Sequence, residues 1–198
     1  MSDVRPQRSI VVVPYDPAWV DTFERVRARV LPAVHDLALA IEHVGSTAVP
    51  GLWAKPIVDV DVVVPDEAAV ALAITRLAAI GYTHREDVGL PGREAFEAPR
   101  DEALLPPHHL YVCWQGSLPL RNHLALRDHL RANPASVRAY GALKRDLAQA
   151  HPHDIDAYVA GKTDFVLAVL RAAGFTAEER EAIEGVNRTP ASTTRDRA

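Results

Sequence analysis

Apolar positions along the chain alternate in short runs through its first half and recur at helical spacing through its second. Residues 10–13 form a β-branched run stopped by Pro14, which predicts an edge strand, because proline cannot donate to a ladder. Pro17 suits the first helical position with Asp16 before it as cap. Trp19, Phe23, Val26 and Val30 then fall on one helical face, opposite Arg25, Arg27 and Arg29, and the helix is expected to end near Pro32. Residues 37–44 read as a strand running into a Gly45-Ser46 turn. Residues 57–64, bounded by Pro56 and Pro65, are β-branched almost throughout and predict a strand buried on both faces, apart from Asp59 and Asp61. Asp66 caps a helix over 67–80 that Gly81 stops. Residues 82–87, 93–98 and 108–114 complete the strands, with Gly89, Pro91 and Gly92 marking a loop.

After Gly116 and Pro119 the strand-like runs cease. Helices are predicted over 120–132, 135–150, 162–173 and 177–186, punctuated by Pro134, Pro152 and Gly161. Residues 187–198 are polar and expected to be disordered. The pattern predicts an α+β fold: an α/β half over 1–118, a helical part over 119–186, and a tail.

Composition narrows the function classes. Of the 198 residues 48% are hydrophobic and 24% charged, as in an ordinary globular protein, and the net charge of -4 argues against a surface built to grip nucleic acid. A single cysteine, Cys113, rules out an intrachain disulfide and suits a reducing compartment. No segment approaches the roughly 18 apolar residues of a spanning helix, and residues 1–9 are polar; a cytoplasmic location without membrane partners is expected.

Chemistry concentrates between residues 41 and 64. On a strand Asp59 and Asp61 point to the same face, where two carboxylates repel unless a cation lies between them. Mg²⁺ takes one or two carboxylates plus substrate phosphates. Gly45 lets backbone approach a phosphate, Ser46 and Thr47 offer hydroxyl and N–H donors, and Lys55 places a positive charge nearby. Read blandly, a Gly-Ser pair is a turn, and the aspartates form a structural ion pair with Arg93 or Lys55. His43 is out of place in an apolar strand, and contacts either backbone or a phosphate or base. His109 and Tyr111 share a face of their strand, with His108 on the other. Lys162, after Gly161, reads as the start of a helix, where phosphates bind. A zinc site from His108, His109 and His123 lacks metal-site spacing, and no Walker-type loop is present.

The order apolar-Gly-Ser, a spacer of about a dozen residues, then Asp-apolar-Asp resembles the nucleotidyltransferase superfamily. More closely, His43-Val44-Gly45-Ser46-Thr47-Ala48-Val49-Pro50-Gly51-Leu52 with Ala54-Lys55-Pro56-Ile57-Val58-Asp59 resembles the signature of the GrpB-like family. Tyr15-Asp16-Pro17 with Trp19 and Phe23, the strand His108-His109-Leu110-Tyr111-Val112, Arg127-Asp128, Tyr140 to Lys144, and Gly161-Lys162-Thr163 with Phe165 extend the resemblance over residues 10 to 173. The resemblance implies a nucleotidyltransferase-like mixed sheet and no settled reaction; some members are fused to an enzyme of coenzyme A synthesis.

Two departures stand out: Tyr111 where the family strand has histidine, and no third carboxylate on that strand. Glu94 or Glu97 from the preceding strand is expected to substitute, or His109 to act as base. The function expected is Mg²⁺-dependent transfer of a nucleoside monophosphate from an NTP to a small-molecule acceptor. In that reading Asp59 and Asp61 bind metal, His109 or Glu94 serves the acceptor, and His43, Gly45, Ser46, Thr47, Lys55, Tyr111 and Lys162 contact the nucleotide. The alternative is an inactive module that binds a nucleotide or a coenzyme-A-like ligand.

Overall fold

A computed structural model of the chain describes residues 9–87, 89–99 and 105–189. Helix α1 (Ala18–Val34) leads to strand β1 (Ala40–Val44), a 3-10 turn (Ser46–Ala48) and strand β2 (Val58–Val64). Helix α2 (Glu67–Ala79) and strands β3 (Thr83–His84), β4 (Arg93–Glu97) and β5 (His108–Trp114) follow. Helices α3 (Leu118–Ala132), α4 (Pro134–Ala150), α5 (Ile155–Ala172) and α6 (Ala177–Arg188) complete the described chain. The five strands form one mixed sheet in the order β1-β2-β5-β4-β3, in which only β2 and β5 run parallel.

The sheet has two unlike faces because side chains alternate along each strand. One face is apolar: Val58, Val60, Val62 and Val64 of β2 and Leu110 and Val112 of β5 pack on Trp19, Phe23, Val26, Val30 and Val34 of α1 and Val70, Ala73 and Leu77 of α2. Burying such side chains is worth about 1.5–3 kcal/mol each, and this face carries most of the core. The other face holds the carboxylates. There α3 packs Leu120 and Leu124 on Val63, Cys113 and Tyr111. Helices α4 to α6 then pack on α3 through two further clusters, one around Leu130 and Tyr140, the other around Val166, Leu170, Phe175 and Ile183.

Several boundaries differ from expectation, each for a local reason. Residues 10–13 add no strand to the sheet; Val13 makes one isolated bridge, its N–H donating to Ala54 O at 2.9 Å. Asp16 accepts from Ala18 N at 2.9 Å, and the helix begins after Pro17. Pro32 lies inside α1, which runs on to Val34. The strand expected over 82–87 shrinks to two residues.

The largest correction concerns Gly161, which does not open a helix but sits in the middle of α5. A Cβ there would lie 2.4 Å from Leu147 Cδ2, so glycine permits close approach of α4 and α5. The start of α5 is set by Asp154, whose carboxylate accepts from Ala157 N at 2.9 Å. Asn187 and Arg188 belong to α6 and Thr189 follows it as cap, while 190–198 lie outside the described residues.

Candidate active site

The parallel pairing of β2 with β5 sets Asp59 opposite His109 and Asp61 opposite Tyr111, on one face. His109 Nδ1 donates to Asp59 Oδ1 at 2.9 Å, and His123 Nδ1, from α3, donates to Asp61 Oδ2 at 2.8 Å. The Tyr111 ring stands between the two imidazoles, its centroid 6.3 Å from His109 and 5.8 Å from His123. Asp61 is fully buried, and its Oδ1 has no hydrogen-bond partner. The Asp59 and His109 side chains remain 27% and 29% exposed, so the site is open to a ligand from that side. Burial pushes the Asp59 carboxyl up; the His109 hydrogen bond, with His109, His123 and Lys55 nearby, outweighs it and holds the group below the usual carboxylate range.

Gly45 is required by this packing. It adopts φ +69°, and a Cβ built on it would lie 2.1 Å from Asp59 Oδ2. The turn therefore lies directly against the carboxylate and presents Ser46. Lys144 Nζ, from α4, donates to Ser46 Oγ at 2.9 Å while only 2% exposed. Burial pushes the Lys144 ammonium down to about 6, with Lys162 adding to the effect and Asp59 opposing it. Lys162, over the Tyr158 ring, is lowered to about 8 by burial and by Lys55, and burial lowers Lys55 as well, Asp59 opposing both shifts. Three lysines thus share one electrostatic neighbourhood with Asp59, and none has a carboxylate within ion-pair distance among the described residues.

Not every expected residue reaches this place. Glu94 lies on the opposite face, in register with Val112, and pairs with His84 Nε2 at 2.6 Å; it does not supply the missing acid. Glu97 is taken by Arg85. His43 also faces away from the aspartates, in register with Val60, stacked on Phe23 at 4.8 Å and bonded to Thr47 Oγ1 at 3.0 Å. Burial pushes its imidazole down to about 4, so it brings no positive charge at neutral pH. Thr47 is buried and already bonded to His43, leaving the half-buried Ser46, bonded to Lys144, as the hydroxyl of the turn beside Asp59. Lys162 does reach the site, but from the interior of α5 and not from a helix N-terminus. His108 accepts from Tyr82 OH at 2.9 Å on the apolar side, so no zinc site forms with His109. Trp53 is covered by Arg145.

A third carboxylate does lie on the site face: Glu42 of β1, in register with Asp61. Arg127 Nη1 donates to it at 2.7 Å and neutralises it. Neither Lys144 nor His123 emerged from the sequence as a site residue, although spacing marks both. Tyr140, Lys144 and Leu147, like Leu120, His123 and Leu124, fall on one helical stripe, so each polar residue interrupts an apolar face. A cavity of about 670 Å³, lined by Tyr15, Phe23, His43, Thr47, Arg131 and Arg138, lies beyond the turn and does not include the aspartates.

Among the described residues no three or more His, Cys, Asp and Glu side chains are arranged to hold a metal ion by themselves. A cation here needs ligands from outside the protein, which is how Mg²⁺ is held at phosphate sites. The unpartnered Asp61 Oδ1 beside Asp59 fits that demand. Among the described residues no helix is long and apolar enough to cross a membrane.

Comparison with known proteins agrees with the signature around Gly45 and Asp59. The UPF0157 protein YqkA of Bacillus subtilis is 32% identical over 161 residues, covering 81% of this chain and 46% of that protein. The UPF0157 protein BH1888 of Halalkalibacterium halodurans is 33% identical over 178 residues, covering 89% of each. The chain thus spans less than half of one relative and most of the other. The crystal structure of conserved protein GrpB from Enterococcus faecalis superposes with a TM-score of 0.71 at 35% identity, over 88% of this chain and 98% of that one. A Cid1 poly (U) polymerase structure matches only loosely, with a TM-score of 0.48 at 12% identity over 79% of this chain and 50% of that one, too low a likeness to carry function. The family model described as GrpB protein matches residues 9–172, and the chain belongs to the GrpB family.

Proposed function

We propose that the chain is a Mg²⁺-dependent nucleotidyltransferase that moves a nucleoside monophosphate from an NTP to a small-molecule acceptor. The observation that carries this reading is the gathering of Lys55, Lys144 and Lys162 around Asp59, with Lys144 bonded to Ser46. Burial disfavours the charged form of each lysine, and a triphosphate would supply the negative charge that restores it.

Asp59 and Asp61 would hold the ion, which when bound lowers the charge on the phosphates and supports an in-line displacement. The lysines and Ser46 hold the triphosphate and take up charge as pyrophosphate leaves. His109 and His123 each donate Nδ1–H to an aspartate, which leaves Nε2 free to accept a proton. One of them takes the proton of the acceptor hydroxyl as its oxygen bonds the α-phosphorus and the α–β phosphoanhydride bond breaks.

The neutralisation of Glu42 by Arg127 supports a second reading, in which the site binds a nucleotide or a coenzyme-A-like ligand without turnover. Titration calorimetry with each NTP, with and without Mg²⁺, on the wild type and on Asp61→Asn tests the site. Magnesium-dependent binding that survives Asp61→Asn overturns the metal assignment. Pyrophosphate release with pooled metabolites then decides between transfer and binding alone.

A further inference from the structure

We propose that the acceptor carries an oxyanion, a phosphate or a carboxylate, and that Arg93 recognises it; this rests on the nucleotidyltransferase reading of the same site. Arg93 stands in register with Cys113, and its side chain therefore emerges on the carboxylate face. Its guanidinium carbon lies 5.0 Å from the centroid of the Tyr111 ring, the ring that stands between His109 and His123. Arg93 is thus one aromatic ring from both imidazoles. It approaches from β4, whereas the lysines come from the segment before β2 and from α4 and α5. Donor and acceptor would lie on either side of the aspartates, as an in-line transfer needs.

The charge of Arg93 is unanswered. Its Nε is buried without a hydrogen-bond partner, and no carboxylate among the described residues pairs with it. Other arginines of the chain do have carboxylate partners: Arg127 is held by Glu42 and Asp128, Arg121 by Glu179 and Arg85 by Glu97. Tyr111 offers it a ring face and no negative charge, since burial pushes the phenol up and keeps it neutral. A cation over a ring still has the in-plane N–H groups of its fork to satisfy, and these match a phosphate or carboxylate in bidentate fashion.

Calorimetric titration of the full chain with inorganic phosphate and, separately, acetate tests this in the wild type, Arg93→Gln, Arg93→Lys and Lys144→Met. The wild type is expected to show two classes of oxyanion site. Arg93→Gln removes one, with affinity falling at least about tenfold, while Lys144→Met removes the other. The phosphate and acetate arms separate a phosphorylated acceptor from a carboxylic one. Arg93→Lys keeps a cation over Tyr111 without the fork and should bind several-fold more weakly at an unchanged melting temperature, which keeps the test open if Arg93→Gln fails to fold. Isotherms of either Arg93 variant that superimpose on the wild type for both anions overturn the proposal. Failure of NTP to compete for the class that Lys144→Met removes, with the Arg93 class intact, counts against the nucleotidyltransferase reading and leaves the Arg93 site standing.

Discussion

Replacing Lys144 with methionine should make the protein more stable and less able to bind its ligand. The lysine is 2% exposed, and its ammonium is depressed from 10.5 to about 6. At an assay pH of about 7.5 folding must strip a proton from a group that holds it until 10.5 in the unfolded chain. At about 1.4 kcal/mol per pKa unit this costs roughly 4 kcal/mol. Methionine fills similar space without that cost and loses the bond to Ser46, worth about 1 kcal/mol. The net gain of about 3 kcal/mol corresponds to roughly 6–12 °C in melting temperature for a domain of this size. Between about 6 and 10.5 the unfolded state binds more protons, so wild-type stability rises with pH across that window. The advantage of Lys144→Met is therefore largest below pH 6 and vanishes as pH rises through 10.5. Urea melts from pH 5.5 to 9.5 measure it, and titration with pyrophosphate should show at least about a tenfold loss of affinity. A variant that is less stable than wild type near neutral pH, or that binds pyrophosphate as tightly, refutes the account of Lys144 as a desolvated phosphate ligand.

Two further outcomes are expected. Gly45→Ala combines a left-handed backbone with a methyl group set against Asp59, and should cost about 3 kcal/mol or more in urea denaturation; a loss under 1 kcal/mol would mean that the turn does not press on the carboxylate. Glu94→Gln changes only a pair with His84 behind the sheet, so its stability should shift by about 1 kcal/mol or less, with NTP affinity unchanged within about twofold; a tenfold loss of affinity would put Glu94 back at the site.

The sheet was legible from the sequence because its central strands are β-branched runs bounded by proline and glycine, and the shared face of Asp59 and Asp61 follows from alternation alone. The choice among Glu94, Glu97 and His109 was not, because it depends on register between strands. Only the pairing of Ala95 with Tyr111 shows that Arg93, and not Glu94, faces the aspartates. Gly161 misled because glycine ends helices and also lets them approach closely, and only the position of Leu147 distinguishes the two. Lys144 and His123 escaped because a charged residue on a helix is usually solvated; each needed to be weighed against the apolar residues one turn away.

The parallel pairing of β2 with β5 also governs the order in which the site comes into being. Asp59 and His109 are 50 residues apart, Asp61 and His123 are 62 apart, and Ser46 and Lys144 are 98 apart. No hairpin or single helix brings any of these pairs together, and each requires closing a long loop before its contact forms. The sheet and α3 must therefore be in place before the two carboxylates meet their imidazoles, and α4 as well before the turn meets its lysine. A truncated or partly folded chain would retain recognisable strands and helices while binding nothing. Recovery of ligand binding on refolding should accordingly lag behind recovery of secondary structure.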